Sequence, residues 1–166
     1  MNIQGDLTVI RDRTIEDSYD EIMWSADQDV VRYDVSAGIT LNMIVLAIDS
    51  ICGVHIGVCT IYNKTATNVQ IGVRIGDKSL WNRGYCTDAT KLLVKYIFNN
   101  FSVNRVWLKV LPENFGAIRC YEKCGFMYTG QLRLNGYTFN VMEITRNEVI
   151  EHGQWSDVCE STLGCS

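Results

Sequence analysis

The sequence of 166 residues has no long apolar run. A membrane span needs ~20 consecutive apolar residues, and no stretch of the chain approaches that length. Residues 1–6 contain neither the basic region nor the apolar region of a secretory signal. We therefore expect a cytoplasmic protein that does not associate with membranes. The length fits one compact domain.

The chain also lacks an excess of basic residues. It has 15 Lys and Arg against 19 Asp and Glu, which gives a net charge of -4. Sequence-independent binding of nucleic acid needs a basic face that neutralises phosphates. We therefore expect no nucleic-acid partner, and the charge would suit a cationic substrate.

Metal-binding motifs are scarce, with two histidines and no CxxC motif. Cys120 and Cys124 have an i,i+4 spacing that could hold a metal on one helix face. Seven cysteines are an odd number, and without an export signal they indicate reduced thiols. We favour Cys59, Cys120 and Cys124 as small core residues and expect no metal.

Alternation and helical spacing divide most of the chain into short elements. Residues 14–26 are predicted as a helix because Ile15, Tyr19, Ile22 and Met23 follow helical spacing and Thr14 offers a capping hydroxyl. The Asn135-Gly136 pair predicts a tight hairpin. The strands are predicted over 6–13, 43–49, 53–62, 69–76, 103–111, 126–134 and 137–144, and the other helices over 87–100 and 114–124.

A strand followed by a Gly-containing loop and a helix can bind phosphate. The loop carries Arg83 and Gly84, and the helix begins near Thr87. Exposed N–H groups at a helix N-terminus carry about half a positive charge, and Lys78 and Arg83 can add to it. The chain has neither a GxGxxG nor a GxxxxGK[ST] motif, so the usual nucleotide-binding loops are excluded.

Two polar residues on the later helix could contact the same ligand as this loop. Asn114 and Tyr121 are seven residues apart, so ~3.6 residues per turn places them on one helix face. Both side chains can therefore contact one ligand. A phenol with an ordinary pKa near ~10 is protonated at neutral pH and can donate a proton to a departing thiolate.

Two segments resemble the GNAT acetyltransferases. These are Trp81-Asn82-Arg83-Gly84-Tyr85-Cys86-Thr87, similar to the family's pyrophosphate-binding motif, and the segment from Asn114 to Phe126, similar to its second cofactor motif. The resemblance extends from about residue 53 to residue 144 and is nearest to the ribosomal-protein N-terminal and spermidine acetyltransferases.

The resemblance implies a fold and an activity. The expected fold is α+β with three layers, in which a mixed, mostly antiparallel sheet of six or seven strands carries helices on both faces. A single domain would span residues 1–144, followed by a polar tail over 145–166. Acetyl-CoA would be the cosubstrate, and the acceptor would be a primary amine of a protein N-terminus, a polyamine or another small molecule.

The family pattern also assigns roles to residues that match it. Tyr121 would be the general acid beside the thioester sulfur, and a backbone N–H near Val73 would stabilise the oxyanion. The remaining cofactor contacts implied by the resemblance come from Val73, Arg74 and Ile75 for the pantetheine arm, from Asn82, Arg83, Gly84, Tyr85, Cys86 and Thr87 for the pyrophosphate, and from Asn114 and Ala117 for the pantetheine side.

The chain departs from the family pattern at the position of the general base. Gln70 occupies the position where relatives often carry a catalytic Glu, and an amide cannot take a proton. The amine could arrive neutral, a water chain could relay its proton, or His55 or Asp34 could substitute. A non-catalytic CoA-binding module is therefore an alternative function.

Other departures concern the shape of the site. Trp81 and Cys86 stand where the family usually has Gly or Ala. The connection after Asp34 is short, which predicts an open acceptor side that a large amine or a partner chain, such as a second copy in a homodimer, could complete.

Overall fold

The computed structural model describes residues 1–35 and 42–151. Within these ranges eight strands form one sheet, in the order β1-β2-β3-β4-β5-β6-β8-β7. All neighbouring strands are antiparallel except β5 and β6. The strands are β1 (Asn2–Gln4), β2 (Thr8–Asp12), β3 (Met43–Ser50), β4 (His55–Tyr62), β5 (Asn68–Ile75), β6 (Arg105–Val110), β7 (Met127–Leu134) and β8 (Tyr137–Thr145).

The helices fall between these strands. They are α1 (Asp17–Ser25), α2 (Gln28–Val31), α3 (Tyr85–Asn100), α4 (Phe115–Lys123) and α5 (Arg146–Glu151), with a short 3-10 helix over Lys78–Leu80. Across the described ranges, none of the helices has the length and apolar character that crossing a membrane requires.

The α+β class and the mixed, mostly antiparallel sheet are confirmed, but the predicted strand count was too low. The described chain has eight strands rather than six or seven. The additional strand is β1, whose three residues pair with β2 and are too few to show an alternating pattern. The predicted Asn135-Gly136 hairpin is confirmed, with left-handed φ values of 52° and 82° at its two turn residues.

Helix α1 forms within the predicted range, but the four apolar residues whose spacing predicted it do not face the core. Ile15, Tyr19, Ile22 and Met23 are all exposed. The buried residue of α1 is Asp17, whose carboxylate accepts two hydrogen bonds from the Arg11 guanidinium at 2.7 and 2.8 Å. The Arg11–Asp17 contact and the Trp24 ring, which packs on His55 and over Gly76, therefore hold this helix to the sheet.

The predicted hydroxyl cap of α1 was wrong. No side chain caps α1 at its N-cap residue, Glu16. Instead, the Thr14 N–H donates to the Asp17 carboxylate at 2.7 Å. A carboxylate in the first turn thus binds the backbone N–H of Thr14, whereas the prediction had the Thr14 hydroxyl binding a backbone N–H of the helix.

Helix α3 is the main support of the sheet. It buries Ala89, Leu93 and Ile97 completely, and their i,i+4 spacing places them on one helix face. At its N-terminal end the Asp88 carboxylate accepts hydrogen bonds from Leu7 N (3.1 Å), Thr8 N (2.9 Å) and Thr8 Oγ1 (2.6 Å). These bonds fix the start of α3 against the start of β2.

Part of the segment that was expected to be a tail packs on the core. Strand β8 runs to Thr145, and α5 follows directly. Arg146 and Val149 are 3% and 1% exposed, so the packed structure continues past residue 144. Residues 152–166 lie outside the described residues.

Candidate active site

Strands β5 and β6 separate soon after they meet. Their parallel pairing covers three residue pairs, from Asn68 opposite Arg105 to Gln70 opposite Trp107. From Ile71 to Ile75, β5 continues along β4, and within the described ranges no strand pairs with its other side. The sheet therefore opens into a cleft with one free strand edge.

Val73 supplies the free backbone groups of that edge. The Gly76 N–H donates to Ile56 O on β4, and backbone groups alternate in direction along a strand, so those of Ile71, Val73 and Ile75 point into the cleft. The Tyr62 hydroxyl donates to Ile71 O at 3.3 Å, and Trp81 Nε1 donates to Ile75 O at 2.9 Å. Val73 lies between these two occupied carbonyls and is the best placed of the predicted pantetheine-binding residues.

The loop after β5 ends in an open helix N-terminus. Gly84 has φ +89° and is the N-cap of α3, and no side chain bonds to this cap. Asn82 is also left-handed, with φ +60°. The loop therefore brings the first N–H groups of α3, on Tyr85, Cys86 and Thr87, to a helix end where an anion is stabilised.

The two basic residues expected near this loop differ in their surroundings. The Lys78 ammonium lies 2.8 Å from an Asp27 carboxylate oxygen and 3.1 Å from one of Asp29. These hydrogen bonds raise the pKa of Lys78 and hold its charge against α2. Arg83 is exposed in the turn beside Gly84, so it is the cation better placed to meet a phosphate.

Helix α4 lies beside α3. The Asn114 side chain accepts a hydrogen bond from Ala117 N at 3.2 Å, which confirms the predicted cap. This bond uses the amide oxygen, so the amide nitrogen is the group with which Asn114 can bind a ligand. The helix ends at Gly125, whose φ of +90° permits the turn into β7.

Tyr121 is buried on α4, 6% exposed, with its ring packed on Phe126 at 5.9 Å between centroids. Burial raises the pKa of the Tyr121 phenol well above its ordinary value. Tyr62 is near enough to contribute to this shift, and burial raises the pKa of Tyr62 itself to about 12. Both phenols are therefore protonated at neutral pH.

Gln70 lies at the point where the two strands separate. It is 2% exposed, and its amide oxygen accepts a hydrogen bond from Asn63 Nδ2 at 2.6 Å. Its cross-strand partner on β4 is Tyr62. The amide is thus built into a neutral polar cluster.

The two residues considered as substitute bases are already engaged. His55 Nδ1 lies 3.0 Å from an Asp20 carboxylate oxygen, and His55 Nε2 lies 3.0 Å from Gly57 O. Both partners are hydrogen-bond acceptors, so both ring nitrogens are already engaged within the protein. The Asp34 carboxylate is paired with Arg74 Nη1 at 2.5 Å.

Sequence reasoning missed Tyr62 and Asn63. Neither belongs to a recognisable motif, and the signal that could have found them is strand register. Tyr62 pairs directly with Gln70 across the β4–β5 hairpin, and Gly72 leaves the space that the Tyr62 ring occupies, since a Cβ there would lie 3.1 Å from the hydroxyl.

The two unusual residues of the phosphate loop also have defined places. The Trp81 indole folds back onto the end of β5, where it is hydrogen-bonded to Ile75 O. Its side chain is therefore directed towards β5. Cys86 lies with its sulfur 2.9 Å from that of Cys120 on α4. Among the described residues, no group of three or more His, Cys, Asp or Glu could hold a metal ion.

A split mixed sheet whose free strand edge leads into an open helix N-terminus defines an α+β domain able to bind a ligand that is both extended and phosphorylated. The chain belongs to the family described as "Acetyltransferase (GNAT) domain", which matches residues 8–127.

Individual relatives agree with this assignment. The chain is 37% identical over 59 residues to a probable N-acetyltransferase of Bacillus subtilis, covering 36% of this chain and 33% of that protein. The chain spans between 33% and 45% of the length of three such Bacillus relatives.

Solved structures share the fold at low sequence identity. An aminoglycoside acetyltransferase in complex with coenzyme A is similar with a TM-score of 0.78 and 20% identity, over 87% of this chain and 98% of that one. A spermidine N-acetyltransferase from Vibrio cholerae in complex with CoA and spermine has a TM-score of 0.73 and 15% identity, over 86% of this chain and 98% of that one.

Proposed function

We propose that this chain is an N-acetyltransferase that moves the acetyl group of acetyl-CoA to a primary amine. The observation that carries the proposal is the free backbone of Val73, which leads along the cleft towards the uncapped N-terminus of α3 with the buried phenol of Tyr121 on the neighbouring helix. Family membership and the CoA-bound structural neighbours support the same ligand.

The described residues fit the parts of this cosubstrate. The N–H groups at residues 85–87 and the Arg83 guanidinium would bind the pyrophosphate. The backbone of Val73 would pair with the pantetheine amides as a neighbouring strand does, and the Asn114 amide nitrogen would donate to the pantetheine side. When bound, acetyl-CoA supplies an acetyl group activated as a thioester.

Three residues define how the chain would carry out acetyl transfer: Val73, Tyr121 and Gln70. The Val73 N–H stabilises negative charge that develops on the acetyl oxygen. Tyr121 keeps a proton on its hydroxyl for the departing sulfur, since burial raises the pKa of this phenol. Gln70 cannot remove a proton from the amine, so the amine must arrive neutral or lose its proton to water.

The acceptor belongs to the class of primary amines. The structural neighbours named above are an aminoglycoside acetyltransferase and a spermidine acetyltransferase, both of which support a small polyamine-like acceptor. The net charge of -4 favours an acceptor that carries further positive charges.

A mass screen tests the proposal. The chain is incubated with acetyl-CoA and a mixture of polyamines, aminoglycosides and peptides with free N-termini, and mass spectrometry detects acceptors that gain one acetyl group. We expect a gain on at least one primary amine with matched release of free thiol, and a gain about 10²- to 10⁴-fold slower with the Tyr121→Phe variant. Tight acetyl-CoA binding without turnover on any amine would instead support the non-catalytic CoA-binding module.

A further inference from the structure

Three cysteine side chains meet between α3 and α4. The sulfur of Cys120 lies 2.9 Å from that of Cys86, and the Thr87 hydroxyl contacts Cys120 Sγ at 3.6 Å. The Cys124 thiol donates to Thr87 O at 3.5 Å. This thiol cluster, Cys86, Cys120 and Cys124, joins the proposed phosphate loop to the helix that carries Tyr121, and the acetyl-transfer chemistry makes no use of it.

The distances select one pair within the thiol cluster. The Cys86–Cys120 separation is about 0.9 Å longer than the ~2.05 Å of a disulfide bond, so a small movement would join the two sulfurs. Cys120 and Cys124 are four residues apart on or beside one helix, where Cβ atoms lie about 5–6 Å apart. A disulfide needs Cβ atoms about 3.5–4.5 Å apart, so that pair is disfavoured.

The surroundings also give the two sulfurs different roles. Contacts with Cys124, Cys86 and Thr87 lower the pKa of Cys120. The hydrogen bond to Cys120, together with burial, raises the pKa of Cys86. The Thr87 hydroxyl also donates to Cys120 Sγ at 3.6 Å, which stabilises negative charge on that sulfur. We therefore assign Cys120 as the sulfur that reacts first with an oxidant and Cys86 as the thiol that resolves the product.

We propose that Cys86 and Cys120 are a modification site at which a reversible intramolecular disulfide forms in response to peroxide. The Cys120 thiolate attacks one peroxide oxygen, the O–O bond breaks, and Cys120 becomes a sulfenic acid while hydroxide takes up a proton and leaves as water. The Cys86 sulfur then attacks the Cys120 sulfur, and the S–O bond breaks as the Cys86 proton leaves with the oxygen in a second water. Two thiols are oxidised and one peroxide is reduced.

The disulfide would act on both sides of the proposed cofactor site. Cys86 belongs to the first turn of α3, and Cys120 directly precedes Tyr121 on α4. Closing the sulfur gap draws the phosphate loop and α4 together, and a displacement of about 1 Å in a catalytic constellation can cost about 10²-fold in rate. This consequence rests on the proposed function, whereas the disulfide itself does not.

Peptide mapping tests the disulfide without any cofactor. The full chain is treated with hydrogen peroxide, blocked with an alkylating reagent and digested without reductant. We expect a linked peptide pair joining Cys86 to Cys120 with the loss of two hydrogens, reversed by dithiothreitol. Cys52→Ser is the matched control, because it removes an exposed thiol outside the thiol cluster and should leave the linked pair unchanged.

The variants Cys86→Ser and Cys120→Ser should each abolish the linked pair. After peroxide treatment, we expect acetyl-CoA turnover of the natural chain to fall about ten- to a hundredfold and to recover with dithiothreitol, whereas Cys86→Ser loses this reversible response. Peroxide that leaves both thiols free, or links other cysteines, overturns the proposal. A Cys86–Cys120 link that forms without altering turnover or acetyl-CoA affinity overturns its regulatory role. If no acceptor is found, peptide mapping and acetyl-CoA affinity still decide.

Discussion

The two halves of the molecule hold themselves together by different means. In the N-terminal half, residues 1–62, charged side chains do much of the bonding, as in the contact of the Arg11 guanidinium with Asp17 and Asp49. In the C-terminal half, residues 68–151, backbone groups dominate the candidate site, as at Val73 and at the start of α3. Backbone sites depend on strand register and helix caps, which sequence patterns can predict. Ion pairs depend on long side chains from distant segments, which they cannot.

The largest expected effect belongs to Tyr121 in the C-terminal half. Tyr121→Phe keeps the ring that packs on Phe126 and removes the hydroxyl. We expect turnover to fall by about 10²- to 10⁴-fold, the usual contribution of a positioned general acid, with little change in acetyl-CoA affinity or melting temperature. Because burial raises the pKa of this phenol, the natural enzyme should keep its acid at pH values up to about 10.

Tyr96→Phe is the control for this experiment. Tyr96 lies on α3 with its ring packed edge-on against Phe101. Its turnover should match that of the natural chain. Full activity in Tyr121→Phe would mean that Tyr121 serves only in core packing and that solvent protonates the departing thiolate.

Arg146 is a charged side chain of the C-terminal half whose partners are backbone carbonyls. Its guanidinium donates to Phe98 O at 2.7 Å, to Phe101 O at 2.8 Å and to Val103 O at 3.0 Å. Arg146→Met leaves three carbonyl groups without this donor, and we expect a loss on the order of 3 kcal/mol in the free energy of unfolding. Chemical denaturation measures it.

Arg13→Met is the comparison from the other half. Arg13 pairs with Glu21 at the surface at 2.7 Å, and exposed pairs contribute less than about 1 kcal/mol. A loss for Arg13→Met as large as that for Arg146→Met would contradict the small contribution expected of an exposed ion pair.

Sequence patterns predicted the C-terminal half well for a physical reason. Asn114 must cap α4, and Gly125 must end it, because these positions need a side-chain acceptor and a left-handed residue. The N-terminal half was harder, since the helical spacing of Ile15 and Ile22 predicts a helix but not the face that packs, and here the buried residue is Asp17. Arg146 was missed because a polar segment gives no sign that one guanidinium will enter the core.

Substitution of Gly84 tests whether the phosphate loop binds acetyl-CoA, and an effect of intermediate size is expected. A valine at φ +89° is strained, and shifting the loop removes the aligned N–H groups of α3. We expect Gly84→Val to weaken acetyl-CoA binding at least tenfold, or about 1.4 kcal/mol, measured by calorimetry.

Gly136→Val supplies the matched strain elsewhere. Gly136 has φ +82° in the β7–β8 turn, with open space around it. Its substitution should lower stability in a similar way and leave acetyl-CoA affinity unchanged. Equal affinity losses in the two variants would attribute the effect to general strain rather than to phosphate binding.

The missing base predicts a particular pH dependence. With Gln70 unable to accept a proton, log turnover should rise with a slope near one, about tenfold per pH unit, below the pKa of the amine. Gln70→Glu should flatten this dependence, while Gln131→Glu on exposed β7 makes the same chemical change without effect. A plateau near pH ~6 to 7 that disappears in His55→Gln would contradict the geometry and assign the base to His55.

The smallest expected effects concern the two cations beside the phosphate loop, Arg83 and Lys78. Comparing them tests whether only the C-terminal half holds the cofactor. Lys78 is held by Asp27 and Asp29 of the N-terminal half, so its charge is already balanced. Within residues 1–35 and 42–151, Arg83 forms no ion pair with a carboxylate, and it stands next to the left-handed Gly84. We expect Arg83→Met to weaken acetyl-CoA binding about threefold to tenfold, with a smaller salt dependence, and Lys78→Met to change affinity by less than about twofold. Calorimetric titrations at two salt concentrations measure both. An equal loss in the two variants would mean that Lys78 leaves its aspartates when the ligand binds, so that the N-terminal half also helps to hold the cofactor.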